Sequence, residues 1–363
     1  MHLIDHLGAG GLQAMLLDLL ERRGSGIDPE VWTLRDRTFP ETMQRLRAAG
    51  ARVRCLDMSA RNPLGLCALP AWLARALPDI LHTRLDVSNT FGAAVALTLR
   101  KARPRIVCQI ENDPDLHYRR GPRWLLPRVA ARVDAFIVLS PSLHASTERI
   151  LRGARRVAVI QPGIDLDRFD PAAVDAASVR QLRGPAGRVI GTVARLAGQK
   201  GIETLLEATP RLLKAASNTR ILIAGDGPDR VRLEARASRL GVAGAVEFLG
   251  YRHDIETVHA ALDAMVLPSR HEGFGVVFLE AMAMGVPVVG TRIVGTVDAI
   301  EDGSTGLLVP PAEPAALAAA ILRLFDDPPL RSRLVEEARR RVRADHAREV
   351  MVRRTEALYA TLR

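Results

Sequence analysis

A chain of 363 residues with nearly half of them apolar exceeds what one hydrophobic core normally supports, so two globular domains are expected. The cysteines Cys55, Cys67 and Cys108 are scattered without C-x-x-C spacing, which excludes a sequence-readable zinc site or disulfide framework and suits a reducing compartment. The net charge of +10 suits polyanions or phosphorylated ligands, but aromatic residues are too few for a base-stacking platform and no nucleic-acid motif stands out.

The opening "MHLIDHLGAGG" reads as the first strand of a domain and not as a secretion signal. No apolar run approaches the roughly 20 residues that a bilayer helix needs, so a cytoplasmic protein is expected. The Arg-rich stretch 119–133 suggests peripheral contact with the anionic inner face of the membrane, or simply a solvated helix face.

In chain order, the strand candidates of the first half are "HLIDHL", "EVWTLR", "RVRCLD", "DILHTR", "RIVCQI", "AFIVLS" and "RVAVIQPG". Between them lie amphipathic stretches such as "GLQAMLLDLLERRG" and "SNTFGAAVALTLRKA". Strand periodicity stops across 161–188, where Pro, Gly, Asp and Ala dominate. It restarts with "VIGTVAR", "TRILIAGDG", "AVEFLG", "DAMVLPS", "VPVVGT" and "TGLLVPP". Such alternation specifies parallel sheets with helices on both faces, and the strands are too many for one doubly wound sheet. The expected fold is α/β with two Rossmann-like domains, 1–163 and 164–345, followed by a terminal helix over about 346–363.

Three loops carry candidate chemistry. Gly8, Gly10 and Gly11 follow the first strand, where a backbone free of Cβ atoms and a helix start can meet a phosphate. The G-x-G-x-x-G match is incomplete, and a merely tight βα turn is the alternative. In "GTVARLAGQKGIETLLEA", Arg195 and Lys200 sit on a loop that opens a helix, placed to converge on a diphosphate. Lysine occurs elsewhere only at Lys101 and Lys214, so a generic surface cation here would be arginine. In "RHEGFGVVFLEAMAMGVPVVG", Glu272 lies in a loop and Glu280 in the helix that follows. Their carboxylates can hold hydroxyls at two parts of one elongated ligand, or can be a helix-dipole partner and a solvated acid. The "VGTVDA" loop either closes over the same ligand or is a helix start capped by Thr296, and "AGDGPDR" reads as a turn. No His/Asp/Glu cluster has catalytic metal spacing.

Together these residues resemble the retaining glycosyltransferases of GT-B architecture, the family of the phosphatidylinositol mannosyltransferases and many bacterial polysaccharide transferases. Glu272–Glu280 resembles its E-x7-E element, "ARLAGQKG" its diphosphate-binding Arg and Lys, and "IQPGIDLDRF" its interdomain segment. The resemblance implies two Rossmann-like domains facing across a deep cleft. It also implies a nucleoside-diphosphate sugar on the second domain and a glycan, lipid-linked or small-molecule acceptor on the first, with no cofactor and no metal ion. Arg195 and Lys200 would hold the leaving diphosphate, with the Gly11 backbone closing on it. Glu280 would bind the ribose hydroxyls. Glu272 with the backbone of Gly273, Phe274, Gly275 and Val276 would orient the sugar, and the base would lie near Tyr251 and Arg252. By the same resemblance the terminal helix returns to the first domain. This chain departs from the family at the end of "RIVCQIEN", where Glu111 or Asn112 stands in place of a histidine, with His117 nearby. It also has Asp298 in place of Glu, and Arg84 in place of the second histidine of a motif beginning at His82. A nucleotide-sugar epimerase and a non-catalytic nucleotide or glycan binder are the competing readings.

Overall fold

The computed structural model describes residues 1–8, 10–35, 40–57, 64–99, 103–112 and 125–362. It divides into two compact units, Met1–Gly163 with Arg348–Arg363, and Ile164–Ala347.

The first unit is built on a seven-stranded parallel sheet of β1 (His2–Ile4), β2 (Glu30–Thr33), β3 (Arg52–Cys55), β4 (Ile80–Arg84), β5 (Arg105–Ile110), β6 (Ala135–Val138) and β7 (Val157–Val159). Their order is β3-β2-β1-β4-β5-β6-β7. Central strands such as β6 are buried along their whole length, as a sheet covered on both faces requires. The helix Gly11–Glu21 turns Leu16, Leu17 and Leu20 onto Ile4, Val31 and Leu46. The terminal helix Arg348–Ala360 joins this unit: Arg348 meets Asp18 at 3.6 Å, and the Tyr359 hydroxyl lies 2.5 Å from His82 Nδ1.

The second unit carries a six-stranded parallel sheet of β8 (Arg188–Val193), β9 (Thr219–Ala224), β10 (Val246–Gly250), β11 (Ala264–Leu267), β12 (Val288–Thr291) and β13 (Leu307–Val309). The order is β10-β9-β8-β11-β12-β13. Ile190, Ile221, Ile223, Val266 and Val289 form its core with Leu205, Leu212 and Leu317 from the covering helices. Burying a side chain of this size stabilises by about 1.5–3 kcal/mol.

Two α/β layers of this kind direct attention to the carboxyl ends of the strands. Strand order reverses between β8 and β11, which pair directly through Ala264↔Ile190 and Met265↔Gly191. Loops leaving such neighbours part in opposite directions and leave a crevice for a ligand. In the first unit the same reversal falls between β1 and β4. No helix among the described residues is long and apolar enough to cross a membrane.

Candidate active site

The loop after β8 runs from Ala194 through a single 3₁₀ turn, Gly198–Lys200, into the helix Ile202–Ala215. Arg195 is exposed, and its side chain has no ion pair among the described residues. Lys200 turns inward and pairs with the carboxylate of Glu272, which is 9% exposed. Ser269 Oγ donates to the same oxygen at 2.9 Å. This pairing joins the loops after β8 and β11 at the point where strand order reverses. A carboxylate so buried needs compensating donors, and the ammonium and the hydroxyl supply them.

The loop Pro268–Gly275 opens the helix Val276–Ala283. Gly275 takes φ 87° as its N-cap, a conformation that costs a residue with Cβ but not glycine. The Phe278 amide donates to the Gly275 carbonyl at 2.9 Å, and the helix's amino end favours negative charge. Phe274 is buried and meets the His346 ring at 5.5 Å in a tilted contact, so its side chain anchors the loop. The helix is apolar on every face; Phe278, Leu279, Ala281, Met282 and Ala283 are buried. Its one ionisable residue is Glu280, whose Oε2 lies 3.5 Å from Nε2 of the fully buried His259. Lys200 and Glu272 are therefore in contact, whereas Glu280 has a partner of its own.

Neighbouring loops hold this arrangement through close backbone contact. A Cβ on Gly201 would lie 2.1 Å from the Pro268 carbonyl oxygen, and one on Gly225 would lie 1.9 Å from that of Ala194. The Leu196 amide donates to Asp226 at 2.9 Å, and the Arg270 amide to Gln199 at 2.7 Å. Gly295 takes φ 83°, and a Cβ there would meet the Gly273 carbonyl at 2.6 Å. Thr296 does not cap the short helix Thr296–Ala299; it is the first helical residue, and its buried hydroxyl has no hydrogen-bond partner. At the end of β10, Tyr251 is half exposed and meets the His253 ring at 4.9 Å, while Arg252 is held by Asp254 at 2.9 Å. Sequence reasoning did not single out Ser269 or His259. "AGDGPDR", read as a turn, is the turn from β9 into the helix Arg230–Arg239.

In the first unit, Gly11 begins the helix Gly11–Glu21 behind Gly10. Glu111 directly follows β5 and is buried. One of its oxygens accepts the Leu85 amide at 3.2 Å and the other has no partner. Burial pushes its carboxyl up to about 8, against the opposing pull of Arg84 and the Leu85 amide. Arg84 is itself buried, with Nε and Nη1 unpartnered. Leu85 takes φ 69°, and a π-helix, Ser88–Gly92, follows. Asp5 Oδ1 ties the start of that turn through the Ser88 amide at 2.8 Å. Strained backbone and π-turns of this kind collect at functional sites. His82 is buried against Tyr359, Asn112 adjoins Glu111, and His117 with residues 119–124 of the arginine-rich stretch lies outside the described residues.

The family model of "Glycosyl transferases group 1" matches residues 178–341, and that of "Glycosyltransferase Family 4" matches residues 9–168. The chain is 38% identical over 352 residues to the alpha-D-kanosaminyltransferase of Streptomyces kanamyceticus, covering 88% of this chain and 91% of that protein. It is 32% identical over 379 aligned positions to the D-inositol 3-phosphate glycosyltransferase of Acidothermus cellulolyticus, covering 91% and 81%. Its backbone superposes on the Anabaena protein Alr3699/HepE in complex with UDP and glucose with a TM-score of 0.84, at 22% identity, over 99% of both chains. For the sucrose-phosphate synthase of Thermosynechococcus elongatus the TM-score is 0.82, at 24% identity, over 99% of this chain and 98% of that one. With one relative matched along nearly its whole length and both units matched to glycosyltransferase models, the chain belongs to the group 1 glycosyltransferases and has their GT-B fold.

Proposed function

We propose that this glycosyltransferase is a retaining enzyme that takes a hexose from a nucleoside-diphosphate sugar and passes it to a small polar, lipid-linked or glycan acceptor. The observation that carries the proposal is the Lys200–Glu272–Ser269 cluster, set beside the amino end of the helix Val276–Ala283, with Arg195, which has no ion pair among the described residues, on the loop that carries Lys200. Cations and amide dipoles at one place favour a diphosphate, and an acid among them is explained if it accepts hydrogen bonds from sugar hydroxyls. The structural relative is a complex with UDP and glucose, and the sequence relatives are named as a transferase of a kanosaminyl group and a glycosyltransferase of inositol 3-phosphate. These names support a nucleotide-sugar donor and a small polar acceptor.

In this mechanism the bond from the anomeric carbon to the diphosphate oxygen breaks, and its electron pair stays on that oxygen. Arg195, Lys200 and the helix amides take up the growing charge, the contribution that usually dominates such catalysis. Lys200, held by Glu272 in the free chain, is shared with the diphosphate once donor enters. Glu272 then orients the sugar from the other side, while Glu280 holds the ribose. The acceptor oxygen bonds to the same face of the anomeric carbon, and its proton passes to the departing phosphate oxygen. Glu111 serves the acceptor on the first unit. With the leaving charge met by side chains, no metal ion is required. Basic residues of the first unit permit peripheral contact with anionic lipid.

A thermal-shift series with UDP, GDP and ADP, with and without EDTA, tests the donor half of this reading. One diphosphate is expected to raise the melting temperature in both conditions, and Arg195→Ala should remove most of that rise. Equal shifts in wild type and variant would reject the diphosphate assignment, and a shift abolished by EDTA would reject metal independence.

A further inference from the structure

His259 has no role in the scheme above, yet it is among the least accommodated groups in the second unit. Its ring is 0% exposed, and neither ring nitrogen has a hydrogen-bond partner. A leucine would fill such a place without leaving a polar atom unsatisfied, which costs about 1–3 kcal/mol. The nitrogen that approaches an acceptor is Nε2, 3.5 Å from Oε2 of Glu280. Glu280 presents the mirror problem, a carboxylate on an otherwise apolar helix. The ring is also held from behind. Phe169 meets it edge-on at 6.3 Å, and Arg168 lies over Phe169 at 5.3 Å. Arg168 in turn pairs at 2.9 Å with Glu256 of the helix that carries His259, Ile255–Ala260.

We infer that His259 is a positioning residue that donates its Nε2 hydrogen to Glu280 and so presents that carboxylate edge-on to the cis-diol of the donor's ribose. The inference rests on the reading of Glu280 as the ribose ligand. A carboxylate on a flexible stem loses rotational freedom when it takes two hydroxyls at once. A buried donor that fixes one oxygen beforehand reduces that loss, as supporting partners do for ligand-binding groups generally. The long contact in the free chain closes when the diol draws the carboxylate into its binding orientation. The consequence is a selectivity: the His259–Glu280 pair sets how strongly the enzyme prefers a ribonucleotide to its 2′-deoxy counterpart. A histidine that only filled space would influence folding and overall affinity but not that preference.

The test is calorimetric titration of the full chain with UDP, GDP and ADP, followed by the 2′-deoxy form of the one that binds tightest. Wild type is expected to favour the ribonucleotide by about tenfold, the worth of one hydrogen bond to a charged group. In Glu280→Ala the ratio should fall to near one. His259→Phe should bring it to within about threefold, and His259→Gln, which returns an N–H near the same place, should restore most of it. The donor KM should rise in His259→Phe while kcat stays within about twofold, as expected when binding alone is lost. If His259→Phe does not fold, His259→Met replaces it. A wild-type ratio in the apolar variant, with the ratio lost in Glu280→Ala, overturns the role of His259. A ratio preserved in Glu280→Ala overturns the ribose assignment itself.

Discussion

Within each unit, the loops at the carboxyl edge of the sheet are held by different means. In the second unit backbone meets backbone: Gly201 lies against Pro268, Gly225 against Ala194, and Gly295 against Gly273, each too close for a Cβ. In the first unit side chains do the tying, with Asp5 on the Ser88 amide and Glu111 on the Leu85 amide. The first arrangement fixes the loops through close backbone approach that only glycine permits. The second leaves charged groups buried and incompletely partnered, as at Arg84 and Glu111, and a strained Leu85. Such a rim is shaped by individual side chains, and replacing one of them alters charge and shape together.

The largest expected effect lies where the two means meet in the second unit. Lys200→Ala should lower kcat roughly a hundred- to a thousandfold, the usual loss on removing one preorganised stabiliser of a leaving charge. Glu272→Ala should lower kcat to a similar extent but spare nucleoside-diphosphate affinity, because Lys200 is then released to the phosphates. Steady-state kinetics beside calorimetry separate the two. Equal loss of nucleotide affinity in both variants would mean that the pair acts only as a structural bridge.

A second contrast concerns stability. Gly225→Ala puts a Cβ 1.9 Å from a carbonyl oxygen at φ 132° and should cost on the order of 3 kcal/mol, a melting shift of roughly 6 to 12 °C. Gly241→Ala shares a positive φ, 69°, but meets nothing within 4 Å and should cost only about 1 kcal/mol. Similar losses in the two variants would mean that backbone conformation, and not the close loop approach, is what these glycines serve.

The same contrast explains what could be read from the chain. Every strand candidate from "HLIDHL" to "TGLLVPP" overlaps a strand of the structure, because short β-rich runs bounded by turn residues mark the strands, the central ones as buried apolar segments. The amphipathic stretch "SNTFGAAVALTLRKA" is helical over its first part, but with a local irregularity that periodicity does not show: Ser88–Gly92 is a π-helix that runs directly into the α-helix Ala93–Ala96. Asp5, remote in sequence, holds the start of that turn, and a Cβ on Gly92 would lie 2.5 Å from Leu3 Cδ2. At the site, local composition placed Glu272 in a loop and Glu280 on the following helix. It could not reveal that Lys200 faces Glu272 or that His259 faces Glu280. Both contacts join residues on separate strand–loop–helix segments, and only sheet order brings them together.

The smallest expected effect probes the side-chain-tied rim through Glu111. Burial holds its carboxyl near 8 in the folded chain, with Asp86 and Asp5 adding to the rise, against an ordinary value of 4.5. The folded state therefore binds this proton more tightly than the unfolded state. The stability it contributes is complete below the ordinary value and is lost as pH climbs through about 8. The Met1 amine, lowered to about 6, and His2 and His82, lowered by burial, act in the opposite sense but are common to wild type and variant. Glu111→Gln keeps the shape and removes the titration. Its melting temperature should match wild type at pH 5 and exceed it by a few degrees at pH 8. Parallel melting curves across that range would show that Glu111 is already ionised in the folded chain and that Arg84, despite its unpartnered nitrogens, compensates it. The contrast between the two sheet edges would then narrow to backbone strain alone.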